Sequence, residues 1–391
     1  MQSIDIITAN KYPNGDAGSI RQHVMAKMLT EMGYSVFVHG MGATTNWRSE
    51  INDGIKYKSY RGISGSIVNR ILDRFRFVDR VLRTLRTQKT DYLLVIDVSP
   101  VGFWKIERFA KNRNIVLIHD SVEWYSPEEF KAGRFSLQYM LKKYTNTVAI
   151  NKNWNVIAIS DYLRSHFSNR VNNVAYIPVI MDIHNAHTEI LPKNDRAVIR
   201  FVYAGAPGMK DLLREIIKGF ALLTDELLEH VELHIIGVTE EQMLNDCFID
   251  RSDIALLGKR ILVHGRLPHE EAVDFVKNAD YTLMLRDETL TYAKAGFPTK
   301  IVESLMYGIP PICNISSDLG RYLVEKENAI IVYGHDAKAF HNALVRALSC
   351  SSDDYFNMRK NARQTAIDNF DYRIYKSEMK KVFQQRKGSD E

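Results

Sequence analysis

Cysteine is scarce. The 391 residues hold three, Cys247, Cys313 and Cys350, with no CxxC pair and no histidine cluster beside them. That excludes a disulfide-built scaffold, argues against a zinc site, and suits a reducing compartment. No apolar run approaches the roughly 18–20 residues that cross a bilayer. A basic-then-apolar leader is missing ahead of the first apolar strand, so a cytoplasmic protein is expected. The G-x-G-x-x-G dinucleotide fingerprint and the Walker lysine are absent, and no DxD-type metal motif occupies a convincing loop. Zinc-finger, RNA-binding and homeodomain patterns are missing too, so nucleic acid is not an expected partner.

What is present is ordinary in bulk and uneven in charge. Apolar residues make up 45% and charged residues 25%, and the length suits two domains of about 150–200 residues each. Residues 1–200 hold 28 Lys+Arg against 18 Asp+Glu, while the remainder holds 24 against 29. A basic first half and an acidic second half point to an anionic surface met by one domain only, although chance scatter of surface charge gives the same asymmetry.

Strand-like apolar runs alternate with helical periodicity, the pattern of parallel α/β layers. Strands are expected at Ser3–Thr8, Ser35–His39, Tyr92–Asp97, Ile115–His119 and Val156–Ser160, with a helix over His23–Met32. Leu191–Ala197 is polar and contains Pro192, which reads as a linker. The rhythm restarts with strands at Ile199–Ala204, Val231–Ile236, Ile261–His264, Tyr281–Leu285 and Pro310–Asn314. Helices are expected at Asp211–Leu223, His269–Asn278 and Thr299–Tyr307. The fold class is therefore α/β, two doubly wound parallel-sheet domains with a ligand cleft between them. The expected division is 1–193, then 194–371, then a charged amphipathic helix within 372–391.

Three loops carry the chemistry. In Gly296–Pro311, Pro298 and Thr299 open a helix whose amide groups and dipole attract phosphate. Lys300 puts a cation in that first turn, which suggests an anionic ligand, and Glu303 can accept two ribose hydroxyls one turn on. An ordinary surface helix with a solvated Glu303 is the plainer reading. In Tyr203–Asp211, Gly205 and Gly208 let backbone approach a diphosphate that Lys210 neutralises. The third loop, Asn14–Ile20, offers Gly18 either for close ligand contact or for a simple turn. His119, with Asp120 and Glu123 nearby, ends a strand; it either meets a substrate or is structural. Asp161 is expected to cap the helix that follows it.

The segments GFPTKIVESLMYGIPPI, VYAGAPGMKDLL, HGRLPHEEAVDFVKNAD and IHDSVEWYSPEEF resemble the retaining glycosyltransferases of the GT-B fold, family 4, in the branch that builds bacterial surface polysaccharides. The resemblance covers nearly the whole chain. It implies that Lys210 contacts donor phosphate, that Glu303 holds the donor ribose, and that the backbone of Gly265, Arg266 and Leu267 meets the base. Gly18 would lie under the diphosphate and His119 beside the reacting sugar. Two departures stand out. The family's first glutamate, eight positions before Glu303, is Ala295 here, and Ala206 replaces the arginine that follows Gly205 in the family's phosphate loop.

The resemblance further implies a nucleotide-sugar donor, UDP favoured, no cofactor, and no metal requirement. The acceptor would be a glycan or a polyprenyl-linked glycan. Between Ser64 and Arg86, Ile67, Ile71, Phe75, Val78, Leu82 and Leu85 recur at helical spacing. Arg70, Arg74, Arg76, Arg80, Arg83 and Arg86 crowd the rest, which suits either a core-facing helix or an anionic membrane surface on the inner leaflet. Other classes remain on the same fold: a nucleotide-sugar 2-epimerase, or a binding subunit whose missing glutamate marks lost catalysis.

Overall fold

The computed structural model describes residues 1–13, 15, 17–42, 49–61, 67–186, 189–192 and 197–384. Asn14 and Asp16 of the third loop, and 193–196 of the expected linker, lie outside the described residues. The chain divides into two compact units. The first comprises Met1–Tyr125, Arg134–Met181 and the segment from Tyr372 onward; the second comprises Ser126–Gly133 and Asp182–Asp371. The second unit thus starts ahead of the expected boundary. The amides of Ile183 and His184 donate to Asp371 Oδ2 at 3.2 and 3.4 Å, which ties this stretch to the end of that unit.

The first unit is built on an eight-stranded sheet. Its strands are β1 (Ser3–Lys11), β2 (Ser35–Gly42), β3 (Ser49–Asn52), β4 (Ile55–Arg61), β5 (Tyr92–Ile96), β6 (Val116–Ser121), β7 (Trp154–Ala158) and β8 (Val174–Tyr176). They lie in the order β3-β4-β2-β1-β5-β6-β7-β8, all parallel except β3, which pairs antiparallel with β4. Every residue of β5 and β7 is buried, as in a parallel sheet covered on both faces. The connecting helices include α1 (Ala17–Glu31), α2 (Ile67–Leu85), α3 (Pro100–Lys111), α4 (Leu137–Tyr144) and α5 (Asp161–Phe167). Ser160, not Asp161, caps α5: its hydroxyl accepts the Leu163 amide, and Asp161 is the first helical residue.

The expected final helix is broken. A 3-10 turn at Tyr372–Tyr375 leads into a short α-helix, Lys376–Lys380, and a second 3-10 turn, Lys381–Phe383. Tyr372, Met379, Val382 and Phe383 all enter the core of the first unit. Burying the adjacent pair Val382 and Phe383 together with Met379 is easier for a tightened turn than for a straight amphipathic helix.

The second unit repeats the design with six parallel strands: β9 (Ile199–Ala204), β10 (Val231–Ile236), β11 (Ile261–Gly265), β12 (Tyr281–Met284), β13 (Pro311–Cys313) and β14 (Ile330–Ile331). Their order is β11-β10-β9-β12-β13-β14. In each sheet the order reverses at one strand, β1 in the first and β9 in the second. Ligands of open α/β sheets bind at the carboxyl ends beside such a reversal. Helix α6 (Leu213–Ala221) follows β9 and buries Leu213, Ile216, Ile217 and Phe220 against the sheet.

One buried ion pair braces the first sheet. Arg21 of α1 meets Asp120 of β6 through two 2.9 Å bonds and also donates to the carbonyls of Ile177 and Pro178. Both side chains are at most 6% exposed. The guanidinium therefore links a helix, a strand and the chain beyond β8, and nothing of Asp120 is left to act as a free carboxylate. Replacing Asp120 by Ala leaves Arg21 buried without its counterion, so urea denaturation should show a loss of about 3–5 kcal/mol.

Candidate functional site

The second unit gathers its charged residues at the strand reversal. After β9 the chain turns through Gly205 and Gly208, at φ +130° and +53°, which L side chains rarely adopt. Gly205 is closely pressed by Gly237, which follows β10: a Cβ on Gly237 would stand 2.6 Å from Gly205 backbone. The Gly237 amide in turn donates to the Gly265 carbonyl at 2.7 Å. Three neighbouring turns are thereby knitted at the sheet edge. Gly237 escaped sequence reading because its role appears only when the turns meet.

The expected helix start at Asp211 moves to Leu213. The amides of Lys210 and Asp211 turn back onto the Pro207 carbonyl, and the Leu212 amide is taken by the Leu285 carbonyl at 2.8 Å. Asp211 is thus left outside the helix and buried, where its carboxylate collects three groups. Lys300 Nζ lies 2.5 Å from Oδ2, Arg286 Nε donates to Oδ1 at 2.8 Å, and the Tyr203 hydroxyl donates to Oδ2 at 2.8 Å. Arg286 also forms a backbone bridge with Asp211. The two cations hold the Asp211 carboxyl far below the usual range against the opposing effect of burial. Lys300, read as a cation awaiting an external anion, already has one from its own chain.

Lys210 stands beside this cluster. Its Nζ is 3.4 Å from Glu129 Oε1, and its carbonyl accepts the Tyr292 hydroxyl at 2.6 Å. Burial, reinforced by the Arg286 charge, pushes Lys210 down to about 8, with Asp211 pulling the other way. Glu129 belongs to the Ser126–Gly133 segment, and its Oε2 accepts the Ser126 amide at 2.6 Å. Ser126 Oγ accepts the Tyr292 amide at 3.0 Å. Burial pushes Glu129 up to about 7. Neither Glu129 nor Arg286 was expected from the sequence. The loop thought to carry Lys210 as its one basic residue draws a second cation from the chain after β12.

The helix Thr299–Met306 begins at Pro298 with no side-chain cap, so its first turn presents amides and the positive dipole end. Glu303 sits one turn on, and burial raises its carboxyl to about 7, with Lys300 opposing. Ala295 is fully buried. At the end of β11, Gly265 has φ +66°; beyond it Arg266 is exposed, while Leu267 packs against the cluster of Val202, Ile236, Val276, Ala279 and Ile309.

In the first unit, Gly18 is the second residue of α1. His119 departs from expectation. Strand β6 runs on to Ser121, so His119 lies within it and is 1% exposed, a core position and not a strand end. Its Nδ1 meets the Val95 carbonyl at 3.0 Å and its ring lies edge-on to Phe103 and Phe167. Burial keeps it neutral, down to about 3. Of the α2 arginines, Arg74 pairs with Asp97 and Arg80 with Asp73, whereas Arg76, Arg83 and Arg86 are exposed. The side chains of Arg70, Ile67 and Ile71 lie outside the described residues. Phe75, expected on the apolar stripe, is 42% exposed; Phe77, Val78, Val81, Leu82 and Leu85 form the buried face.

Among the described residues, Asp287, Glu288 and His335 bring potential metal-ligand atoms within 4.8 Å of one another. Local bonds already engage them: Asp287 Oδ1 accepts from Thr289, and Glu288 Oε2 accepts from Asn314 and meets His335 Nδ1. No helix among the described residues is long and apolar enough to cross a membrane.

Residues 187–365, just under half of the chain, match the family model described as glycosyl transferases group 1. The matched stretch covers most of the second unit. Sucrose-phosphate synthase from Thermosynechococcus elongatus superposes with a TM-score of 0.74 at 16% identity, covering 98% of each chain. WaaG, a glycosyltransferase involved in lipopolysaccharide biosynthesis, gives 0.68 at 12% identity over 98% of this chain and 100% of its own. Anabaena HepE, solved with UDP and glucose, gives 0.67 at 13% identity over 97% and 98%. These likenesses show the fold, two parallel-sheet α/β units of the GT-B kind. A search of curated protein sequences finds no match.

The Lys210–Glu129 pair sets a pH dependence for any diphosphate bound here. Ionising Glu129 near pH 7 adds a negative charge at the lysine, and deprotonating Lys210 near pH 8 removes a positive one. Both changes oppose an anion. Calorimetric titration with UDP-glucose, whose diphosphate does not titrate in this window, should show affinity falling from pH 6 to 9. In Glu129→Gln the part of that fall centred near pH 7 should disappear.

Proposed function

We propose that the chain is a retaining, metal-independent hexosyltransferase that takes its sugar from a nucleotide-sugar, UDP favoured. It delivers the sugar to a glycan or lipid-linked glycan acceptor in cell-surface polysaccharide synthesis. The observation that carries this reading is the pair Arg286 and Lys300 organised by one buried carboxylate, Asp211, with Lys210 beside them on Glu129. It adjoins the uncapped start of the Thr299–Met306 helix, a combination suited to a diphosphate leaving group. The donor set extends to Gly205, Gly208, Gly265, Arg266, Leu267, Pro298, Thr299 and Glu303. HepE, solved with UDP and glucose, supports the choice of uridine.

In this mechanism the diphosphate leaves from an oxocarbenium-like transition state, and its oxygens take the acceptor's proton. The protein's part is to balance charge that develops on the diphosphate and to hold both sugars in line. Lys210 does the first. Glu303, kept near neutrality by burial, offers its oxygens to ribose hydroxyls. With Ala295 at the usual glutamate position, recognition of the transferred sugar falls to other groups.

In this reading the first unit takes the acceptor and the second the donor. A cytoplasmic enzyme peripheral on the inner leaflet would meet anionic lipid through the exposed Arg76, Arg83 and Arg86. The binding-subunit alternative draws on one observation, the absent carboxylate at Ala295.

Two measurements test the reading. Lys210→Met should lower kcat for transfer or slow donor hydrolysis by about 10²–10³, with EDTA leaving the wild-type rate unchanged. A strict divalent-metal requirement would count against it, and donor binding without any turnover would favour the subunit. Changing Arg76, Arg83 and Arg86 together to Gln should reduce sedimentation with anionic liposomes, and unchanged sedimentation would remove the membrane surface.

A further inference from the structure

The first unit has a crevice of its own. Its strand order reverses at β1, which lies between β2 and β5, so the carboxyl end of β5 borders the reversal. Beyond that end lies a cavity of about 390 Å³ whose walls include Asp97, Ser99, Arg74 and Lys142. The volume is in the range of small-ligand sites.

Lys142, in the last turn of α4, is the informative wall. It is 9% exposed, yet among the described residues its ammonium makes no hydrogen bond and no ion pair. Burying an ammonium without a partner is costly. Burial pushes its pKa down, and the charges of Asp97 and Asp120 work against that shift. Asp97, the one carboxylate on the cavity wall among the described residues, is engaged by Arg74 at 3.1 Å. The cavity therefore carries two cations against one carboxylate.

Other features of the wall select what could answer that charge. Ser99 and Pro100 line the cavity and begin α3, a helix of 12 residues, with the Ser99 hydroxyl accepting the Gly102 amide. Its positive end thus adjoins Lys142's cavity. Phe75 and Leu137, 42% and 62% exposed, supply apolar surface at the same place. A neutral sugar would leave Lys142 as unpaired as it is now. A phosphate monoester brings enough charge and acceptor oxygens for an ammonium and a guanidinium together.

We propose that this cavity binds a phosphate group carried by a sugar or by a lipid, and that it is the acceptor's anchoring site. The word acceptor rests on the transferase reading; the binding of phosphate does not. Two sources share the chemistry, a soluble sugar phosphate and a polyprenyl phosphate headgroup.

The full chain would be titrated calorimetrically with glucose 6-phosphate and with glucose, and sedimented with phosphatidylcholine vesicles with or without polyprenyl phosphate. Binding of glucose 6-phosphate but not glucose identifies a sugar phosphate. Selective capture by the polyprenyl phosphate vesicles identifies the lipid. In either case Lys142→Met should weaken binding at least about tenfold, with UDP binding unchanged as the check on folding. Arg74→Gln is the second variant should Lys142→Met fail to fold. Binding of neither phosphate probe, or undiminished binding by the folded variants, overturns the site. Wild type that binds a phosphate probe but not UDP would instead sink the donor reading and leave this one standing.

Discussion

Asp211 is the point on which the second unit's ligand surface depends. A carboxylate in that position, buried at the end of β9, is stable only because Lys300, Arg286 and Tyr203 converge on it. These partners come from the start of the Thr299–Met306 helix, the chain after β12 and β9 itself. One anion thus pins together the pieces that flank the strand reversal. It also does so with an excess of cations, since two full positive charges answer a single negative one. The surplus is what suits the place to the proposed diphosphate, while the Asp211 contacts keep the cations from drifting into solvent. Lys210, held next to Glu129, completes the arrangement with a lysine that burial pushes down to about 8.

Much of the framework could be read along the chain. Ile199–Ala204, Val231–Ile236 and His269–Asn278 are found as expected, because apolar runs and helical periodicity are local signals. The glycines at 205 and 208 were also readable, since a glycine between a strand and a helix has few other reasons to be there. What escaped is the set of contacts that depends on distant segments meeting. Arg286 reaches Asp211 across 75 residues, and Tyr292 reaches the Lys210 carbonyl across 82. No spacing rule connects such positions. His119 failed differently: a strand that ends two residues later turns a terminal residue into a core one.

The short strands β3, β8 and β14 were also missed. Two to four residues give no period to count, and their identity comes from a neighbour's hydrogen bonds. The final segment shows the same limit. Its charged, helix-like composition predicted one continuous helix, whereas the aromatic and apolar side chains of Tyr372, Val382 and Phe383 demand burial from several directions at once.

The course of the chain between the units has a consequence for biosynthesis. Glu129 and Ser126 are made early, within the sequence of the first unit, yet they belong to the second; the segment from Tyr372, which packs into the first core, is made after all of the second. During translation the first sheet must therefore wait, its face open where Tyr372, Met379 and Phe383 will lie, while about 190 residues of its neighbour emerge. The order of synthesis and the order of completion are reversed: the half begun first is the half finished last.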